Sequence, residues 1–397
     1  MKSETVSLGE VCTVVMGQSP PGTSYNTSGD GLPFFQGKTD FGDMYPKVRV
    51  FCNQPSRIAE EGDILMSVRA PVGPTNLAKE KCCIGRGLAA LRIGTRLDTS
   101  FLLYFLRHHE PRLASQGQGS TFDAINRDDL EEIEIPLPAL PEQQRIAGRL
   151  EHADRLRQTR RYALELTDTF LPAAFLELFG DPLSNPKKWP ERCLGDVLLS
   201  AQDGPHVSPN YCTQGIPFLS TRNVRPGELV WDDLKYISVA DAQAQWRKVK
   251  PERDDILYTK GGTTGMAKVV DFDKDVAVWV HIAVLKLRKE VVVPVWLEHM
   301  LNSRFCYQQS QELTFGIVNR DLGLKRMPRI RIYLPPLPLQ RKFAALVEQA
   351  QRLRAAQREA LRQAEHLFSS LLDRAFNADH DPISTTQAAA HAGASQR

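Results

Sequence analysis

The stretch IPLPALPEQQR, at Ile135–Arg145, returns in the second half of the chain as IYLPPLPLQRK, at Ile332–Lys342. Both copies carry the pattern Leu-Pro-x-Leu-Pro-x-Gln. The shared residues are Leu137, Pro138, Leu140, Pro141 and Gln143 in the first copy and Leu334, Pro335, Leu337, Pro338 and Gln340 in the second. A repeat whose period is about half the chain indicates the architecture before any single motif does. The sequence therefore predicts two copies of one structural unit.

A long amphipathic helix is predicted after each copy of this motif. Apolar residues recur at three- and four-residue steps over Glu142–Phe179 and over Leu339–Phe376, two stretches of equal length. At 1.5 Å per residue, each helix would be about 57 Å long. Because helices of this length must bury their apolar stripe, we expect the two to pack on each other antiparallel, as a coiled coil with a pseudo-two-fold internal repeat. Pro172 predicts a kink or an interruption near the end of the first helix.

The segment that precedes each long helix is rich in Gly, Pro and short β-favouring runs, such as Val48–Phe51 and Val276–Val280. We therefore predict a mostly β module in each half, and the fold class is α+β. Phe101–Leu106 and its counterpart Trp296–Leu301 are expected to form a small amphipathic helix packed under the sheet.

These elements predict six segments. We place module 1 at residues 1–138, the first long helix at 139–180, a turn-rich linker at 181–191, module 2 at 192–335, the second long helix at 336–377 and a disordered tail at 378–397. Asn126 and Asn319 are expected to cap short helices within the modules.

The overall composition does not by itself indicate a partner. The chain has 50 Lys+Arg against 47 Asp+Glu, a net charge of +3 that is too small to identify a nucleic-acid binder. Residues 1–138 hold 14 basic and 17 acidic side chains, and residues 190–335 hold 20 and 17. If DNA is the partner, module 1 cannot depend on bulk attraction, and any cationic surface must be local.

Seven cysteines without a paired spacing predict reduced, buried thiols. No apolar stretch is as long as a membrane helix requires, and the first residues do not resemble a secretory signal. We therefore expect a cytoplasmic protein without a membrane partner.

Polar residues follow apolar strands at matched places in the two modules, and their types are those that a nucleic-acid partner would require. Base reading and phosphate contact require Arg, Lys, Asn, Gln, Ser or Thr on loops or strand ends. The candidates are Gln36, Lys38, Thr39, Ser67 and Arg69 in module 1 and Ser220, Arg222, Asn223, Thr259 and Lys260 in module 2. The last two precede a glycine-rich loop at 261–265, which could approach a phosphate closely. Arg86, Lys47 and Arg49 are weaker candidates, and a solvated loop tip is the alternative for each residue.

Catalytic interpretations are weaker. Asp181–Leu183 and Asn185–Lys187 lack the second proline and the aromatic residue of a methyltransferase loop, and the 260–265 loop lacks Gly-Lys-Ser/Thr. Asp233–Lys235 has too few converging carboxylates for a metal nuclease. The histidines show no ligand spacing, so we predict neither a catalytic residue nor a metal site.

The repeated module, the Leu-Pro-x-Leu-Pro-x-Gln junction and the stretch FLELFGDP at Phe175–Pro182 resemble the specificity subunit of type I restriction-modification enzymes. The resemblance implies two target recognition domains, each reading one half of a split double-stranded DNA site, with the helices setting the spacer. It also implies two docked methyltransferase subunits and further restriction and translocation subunits. S-adenosylmethionine, ATP and Mg would be used by those partners, with no cofactor and no catalysis in this subunit.

The halves differ in detail, since all five tryptophans fall at position 189 or later. The resemblance combined with this difference predicts an asymmetric target. One alternative stays open, a coiled-coil adaptor whose twin β modules bind a protein or a small ligand. Salt-sensitive, sequence-specific DNA binding separates the two interpretations.

Overall fold

The computed structural model describes residues 4–116, 124–316 and 320–377, which divide into two compact units. Unit 1 holds the chain up to Tyr162 and again from Arg358, and unit 2 holds Ala163–Gln357. Each unit therefore contains one module and part of both long helices. The predicted tail at 378–397 and the predicted cap Asn319 lie outside the described residues.

Two helices of 40 residues follow the repeated motif, as predicted, and each begins two residues earlier than expected. The helices of the described residues are α1 (Leu8–Val11), α2 (Thr99–Gln116), α3 (Arg127–Glu131), α4 (Leu140–Phe179), α5 (Val239–Trp246), α6 (Pro294–Leu301), α7 (Arg304–Glu312) and α8 (Leu337–Phe376). Helix α4 continues through Pro172, so the predicted interruption is absent. The missing N–H costs one hydrogen bond, and the buried residues Phe175 and Phe179 beyond it hold the last turns in place. None of the described helices combines the length and the apolar character needed to span a bilayer.

Module 1 is built from two sheets. Its strands are β1 (Glu4–Ser7), β2 (Cys12–Met16), β3 (Tyr25–Asn26), β4 (Leu32–Phe35), β5 (Phe51–Cys52), β6 (Ile58–Ala59), β7 (Ile64–Ser67), β8 (Thr75–Leu77), β9 (Cys82–Ile84), β10 (Leu88–Ile93) and β11 (Glu134–Leu137). One sheet has the antiparallel order β2-β10-β7-β8, and the other has the order β3-β5-β4-β9-β6 with β4 and β9 parallel. Strands β1 and β11 pair separately, which brings the start of the module to the start of α4.

The core of unit 1 lies between α2 and the antiparallel sheet. The predicted helical stretch Phe101–Leu106 lies within α2 and is buried. Tyr104 of α2 packs against Leu150 and Ala153, near the beginning of α4, and against Phe368, near the end of α8. The Tyr104 and Phe368 rings meet edge to face at 5.9 Å. In unit 1, the beginning of one long helix therefore packs beside the end of the other.

Module 2 repeats this strand order. Its strands are β12 (Glu191–Cys193), β13 (Leu198–Asp203), β14 (Tyr211–Cys212), β15 (Ile216–Leu219), β16 (Val224–Arg225), β17 (Glu228–Leu229), β18 (Lys235–Ile237), β19 (Ile256–Thr259), β20 (Ala267–Val269), β21 (Ala277–Val278), β22 (Ile282–Leu287) and β23 (Arg331–Tyr333). The antiparallel sheet has the order β13-β22-β19-β20, and the mixed sheet has the order β14-β18-β15-β21 with β15 and β21 parallel. The internal repeat seen in the sequence thus extends to the topology of both sheets. Module 2 differs in that its mixed sheet has one strand fewer, β16 and β17 form a separate pair, and the register of β13 shifts between Leu198 and Ser200.

Unit 2 also brings opposite ends of the two long helices together. Phe175 and Phe179, near the end of α4, meet Phe343, near the beginning of α8, at ring distances of 5.4 and 5.5 Å. Trp296 of α6 lies 6.1 Å from Phe179 and is buried. The long helices therefore contribute to the core under each sheet, and they are antiparallel within each unit.

The glutamine of the repeated motif ties each long helix to its module. Gln143 is fully buried, its Oε1 accepts from the Asp98 amide at 2.8 Å, and its Nε2 donates to the Pro138 carbonyl at 2.8 Å. Gln340 is equally buried and makes the same bonds with the Val293 amide and the Pro335 carbonyl, both at 2.8 Å. Because the amides of Asp98 and Val293 lie at the starts of α2 and α6, one side chain positions two helices.

Two smaller predictions are settled by local contacts. Asn126 caps α3, with its side chain accepting from the Asp129 amide at 3.0 Å, as predicted. All seven cysteines are free thiols, but only five are buried, since Cys193 and Cys212 are exposed. The expectation that all seven are buried is therefore wrong.

Candidate nucleic-acid interface

An open cleft of about 820 Å³ lies on module 1 and is lined by all five residues predicted there, Gln36, Lys38, Thr39, Ser67 and Arg69. Ser19, Tyr25 and Arg86 line it as well. The weaker candidates Lys47 and Arg49 are exposed but do not line this cleft. Residues as far apart in the sequence as Ser19 and Arg86 thus form one surface, which we call the module 1 cleft.

The end of β4 supplies the first group of cleft residues. The Gln36 amide donates to the Asp40 carboxylate at 2.7 Å, and this bond closes a short 3₁₀ turn at Lys38–Asp40. The turn leaves the side chains of Gln36, Lys38 and Thr39 exposed. Asp40 is therefore a structural residue of the loop, and its three neighbours face solvent.

The end of β7 supplies the second group. Ser67 is buried, its amide donates to the Pro74 carbonyl at 2.8 Å, and its hydroxyl donates to the Arg69 carbonyl at 3.1 Å. Ser67 therefore shapes the loop and does not offer a free hydroxyl to DNA. Arg69 follows it on the loop and is exposed.

The cleft concentrates positive charge in a module whose net charge is negative. Lys38, Arg69 and Arg86 are exposed and form no ion pair within the described part of the chain. No carboxylate is among the described residues that line the cleft. Unneutralised cations around an open polar surface suit a polyanion, because phosphate contact releases bound counterions.

The corresponding loop of module 2 uses Asn223 where module 1 uses Asp40. The Asn223 Oδ1 accepts from the Ser220 amide at 2.9 Å and from the Ser220 hydroxyl at 3.0 Å, and its Nδ2 donates to the Val230 carbonyl at 3.2 Å. Asn223 is buried, Ser220 is half-buried and Arg222 is exposed. The prediction of DNA contact is therefore withdrawn for Asn223, whose amide is committed to closing the turn, and is kept for Ser220 and Arg222.

Thr259 and Lys260 do not occupy the place that the sequence comparison assigned to them. Thr259 is fully buried, and its hydroxyl accepts from the Met266 amide at 2.9 Å. The Lys260 amide donates to the His281 carbonyl, as the Val68 amide donates to the Gly87 carbonyl in module 1. Lys260 therefore corresponds to the buried Val68.

The exposed position next to it in module 1, Arg69, corresponds to Gly261, since Arg69 bridges to Ala124 and Gly261 bridges to Asp321, each in the segment that precedes the last strand of its module. The prediction that Lys260 contacts DNA is corrected for this reason, since side chains alternate between the two faces of a strand. Thr259 is removed from the contact set for the same reason.

Lys260 instead forms a buried ion cluster. Its ammonium lies 3.2 Å from the carboxylates of both Asp203 and Asp321. Burial alone would raise the pKa of Asp203, but hydrogen bonds from Lys248 and Lys260 outweigh burial and lower that pKa. Burial, together with the nearby charge of Lys260, lowers the pKa of His281. The cationic charge of Lys260 is thus neutralised inside the module and unavailable to a ligand.

The glycine-rich loop at 261–265 is the turn between the antiparallel strands β19 and β20. Its Gly262 amide donates to the Arg320 carbonyl, and its Gly265 amide donates to the Thr259 carbonyl, both at 2.9 Å. Among the described residues, no group of three or more His, Cys, Asp or Glu is arranged to hold a metal ion. The residue Asp233, considered above for metal chemistry, lies in a turn with a φ of 53°.

The sequence matches the family described as the type I restriction modification DNA specificity domain over residues 1–166 and again over residues 186–363. It is 46% identical over 161 residues to the putative type I restriction enzyme MjaX specificity subunit of Methanocaldococcus jannaschii, a match covering 40% of this chain and 38% of that protein. It is 24% identical to the MjaIX specificity subunit of the same organism, covering 74% of this chain and 71% of that protein. The match thus spans less than half of the first relative and about seven tenths of the second.

A solved structure extends the likeness to nearly the whole chain. The type I restriction-modification S subunit from M. genitalium superposes with a TM-score of 0.61 at 16% identity, covering 94% of this chain and 96% of that one. At this identity the likeness shows a shared fold only. Since one family model matches the chain twice, once over each module, the chain belongs to the family of type I restriction-modification DNA specificity proteins.

Proposed function

We propose that each module reads one half of a split DNA target and that this chain carries the sequence specificity of a larger restriction-modification complex. The observation that carries the proposal is the module 1 cleft, where Lys38, Arg69 and Arg86 stand unneutralised beside the polar side chains of Gln36 and Thr39. Cations hold the phosphates of a duplex, and amide or guanidinium groups read base edges. The corresponding polar surface of module 2 is formed by Ser220 and Arg222.

The half-sites read by the two modules are proposed to differ in sequence. Their matched loops have different side chains at corresponding positions. Gln36 of module 1 corresponds to Ser220 of module 2, and Arg69 corresponds to Gly261. Because hydrogen-bonding groups distinguish base pairs in the major groove, different side chains select different bases. An asymmetric target follows from this difference.

The helices α4 and α8 are proposed to set the spacer between the half-sites and to dock two methyltransferase subunits, to which restriction and translocation subunits are added. Their equal length of 40 residues and their burial beneath each sheet support this role. In this scheme the partner subunits bind S-adenosylmethionine, ATP and Mg and perform all the chemistry in the cytoplasm. This chain contributes recognition and assembly without a catalytic step.

The test is to map methylated bases in host DNA with the complex present and with this chain deleted. We expect a split, asymmetric motif that disappears on deletion. The purified complex should bind that motif with an affinity that falls steeply as salt is raised. A map without any deletion-dependent motif, together with salt-insensitive binding, would instead support the adaptor interpretation.

A second experiment tests the spacer. One helical turn inserted within Leu150–Leu164 of α4, with a matched insertion in α8, adds about 5.4 Å to the helix pair. The unread spacer should lengthen by one or two base pairs at about 3.4 Å each, while both half-sites keep their bases. Altered half-site bases would show that the helices also take part in reading.

A further inference from the structure

The turn Gly85-Arg86-Gly87 joins the two sheets of module 1, since it connects β9 of the mixed sheet to β10 of the antiparallel sheet. Three backbone hydrogen bonds hold it. The Gly85 amide donates to the Phe35 carbonyl at 2.8 Å, the Leu88 amide donates to the Gly85 carbonyl at 3.0 Å, and the Val68 amide donates to the Gly87 carbonyl at 3.0 Å. The backbone that carries Arg86 is therefore fixed to β4, β10 and the end of β7.

The two glycines of this turn allow a close backbone approach to Gln36. A Cβ at Gly87 would lie 2.3 Å from the Gln36 carbonyl oxygen, and a Cβ at Gly85 would lie 3.3 Å from the Gln36 Cα. Any other residue at position 87 would therefore push the turn away from the loop after β4. The turn thus places Arg86 beside Gln36 on the cleft surface.

The Arg86 side chain is exposed and forms no hydrogen bond or ion pair within the described part of the chain, and the Gln36 side chain is likewise exposed. An arginine that is held on a rigid backbone and left unpaired has the form required for base reading. Its planar fork can donate two parallel hydrogen bonds to O6 and N7 of guanine, whereas a lysine acts on phosphate as a point charge. Rigid elements also position such groups more accurately than flexible loops do.

Module 2 supports this assignment by contrast. There the Trp279 amide donates to the Leu219 carbonyl, the Ile282 amide to the Trp279 carbonyl and the Lys260 amide to the His281 carbonyl, which reproduces the bonds of the module 1 turn. The residue equivalent to Arg86 is Val280, which is buried. The fold therefore does not need an arginine at this place, and the scaffold leaves its side chain free to vary with the target.

We infer that Arg86 is a specificity-determining residue of module 1, and that its guanidinium reads one guanine of the half-site through the major groove. Lys38 and Arg69 hold the neighbouring phosphates. This inference rests on the proposed function, because it names the base class that the module 1 cleft selects.

The test uses the intact complex with its methyltransferase subunits and duplexes that carry the mapped target with single base-pair changes at every position. For Arg86→Ala, affinity for the unchanged target should fall about 5- to 150-fold. The preference for G·C should disappear at one position of one half-site and persist elsewhere. Arg86→Lys keeps the charge but loses the fork, so it should also lose that preference.

Two controls complete the test. Lys38→Ala should weaken binding to all duplexes by the same factor. Lys79→Ala removes an exposed lysine at the opposite end of β9 and should leave the preference at every position unchanged.

An Arg86→Ala complex that keeps every base preference, or an Arg86→Lys complex that keeps the G·C preference, would overturn the inference while leaving the proposed function intact. A wild-type complex without any base preference would overturn both.

Discussion

The antiparallel sheets of the two modules share a strand order, and the turns that join the two sheets of each module share a set of backbone hydrogen bonds. The residue at the middle of this turn nevertheless differs in both chemistry and exposure. In module 1 the turn between the sheets is Gly85-Arg86-Gly87, with an exposed arginine, and in module 2 it is Trp279-Val280-His281, with a buried valine. The sheets and their backbone hydrogen bonds therefore define the scaffold, and the side chains on its surface differ between the modules.

The same contrast holds at the end of the third strand of the antiparallel sheet. Module 1 has the buried Val68 followed by the exposed Arg69, whereas module 2 has the buried Lys260 followed by Gly261. Module 1 therefore places its cation outside, and module 2 places its cation inside, between Asp203 and Asp321. The more acidic module has a cleft with three unneutralised cations, so the net charge of a module gives no measure of how strongly it attracts DNA.

The largest effect is expected from Lys260→Met, which removes a buried ammonium from beside Asp203 and Asp321, while Asp203 keeps its ion pair with Lys248 and Asp321 is about half exposed. Losing this ammonium should lower the free energy of unfolding of unit 2 by about 3 kcal/mol, the lower end of the range for a buried ion pair. All five tryptophans lie in unit 2, so denaturant unfolding followed by their fluorescence reports this unit selectively. Lys325→Met removes a charge from an exposed position and should change stability by less than about 0.5 kcal/mol. Equal effects of the two variants would show that the buried cluster contributes nothing.

The next effect tests what the two modules share. Gln143→Ala and Gln340→Ala each leave a helix-start amide and a proline carbonyl buried without a partner, and each should cost about 2–4 kcal/mol. Hydrogen exchange should show the loss in unit 1 for the first variant and in unit 2 for the second. The neighbouring Gln144→Ala, at an exposed position, is the control. Strongly unequal losses of stability would mean that the repeated glutamine does not have the same structural role in the two halves.

A smaller effect, on the salt dependence of DNA binding, distinguishes the module 1 cleft from the polar surface of module 2. The double variant Lys38→Ala/Arg69→Ala should reduce the slope of log K against log salt by about 1.8, whereas Arg222→Ala should reduce it by about 0.9. The measurement is the affinity of the intact complex for its target between low and moderate salt. Unchanged slopes in the double variant would remove Lys38 and Arg69 from the phosphate contacts.

The smallest effect concerns pH. Because the folded-state pKa of Asp203 is lowered, through hydrogen bonds from Lys248 and Lys260 that outweigh burial, its contribution to stability is present above its ordinary value of 3.8 and is lost as pH falls through the lower folded value. The stability difference between wild type and Asp203→Asn should therefore be constant near neutral pH and shrink below about pH 4. Tryptophan fluorescence again reports the change. A difference that grows on acidification would reverse the sign and contradict the ion cluster.

Much of the fold could be predicted from periodicity and short motifs. The Leu-Pro-x-Leu-Pro-x-Gln copies predicted two long helices of equal length, and the stretch Phe101–Leu106 predicted the helix under the sheet. The candidate site was predicted in part, since Gln36, Lys38, Thr39 and Arg69 line one cleft with exposed side chains. Arg86 is only a weak candidate in the sequence, because the need for its two flanking glycines arises from the close approach of the Gln36 backbone, which is seen only in the folded module.

The repeat, the helix lengths and the β character of the modules follow directly from the order of the amino acids, because these features depend on residue type and on the spacing between near neighbours. Which polar side chains remain unpaired depends on contacts that form when distant parts of the chain fold together. Lys260 pairs with Asp321, which lies 61 residues away in the sequence, and Gln143 accepts from the amide of Asp98, which lies 45 residues away. Whether a lysine at a strand end faces a carboxylate or the solvent depends on strand register and on distant chain segments, and local spacing carries no information about either.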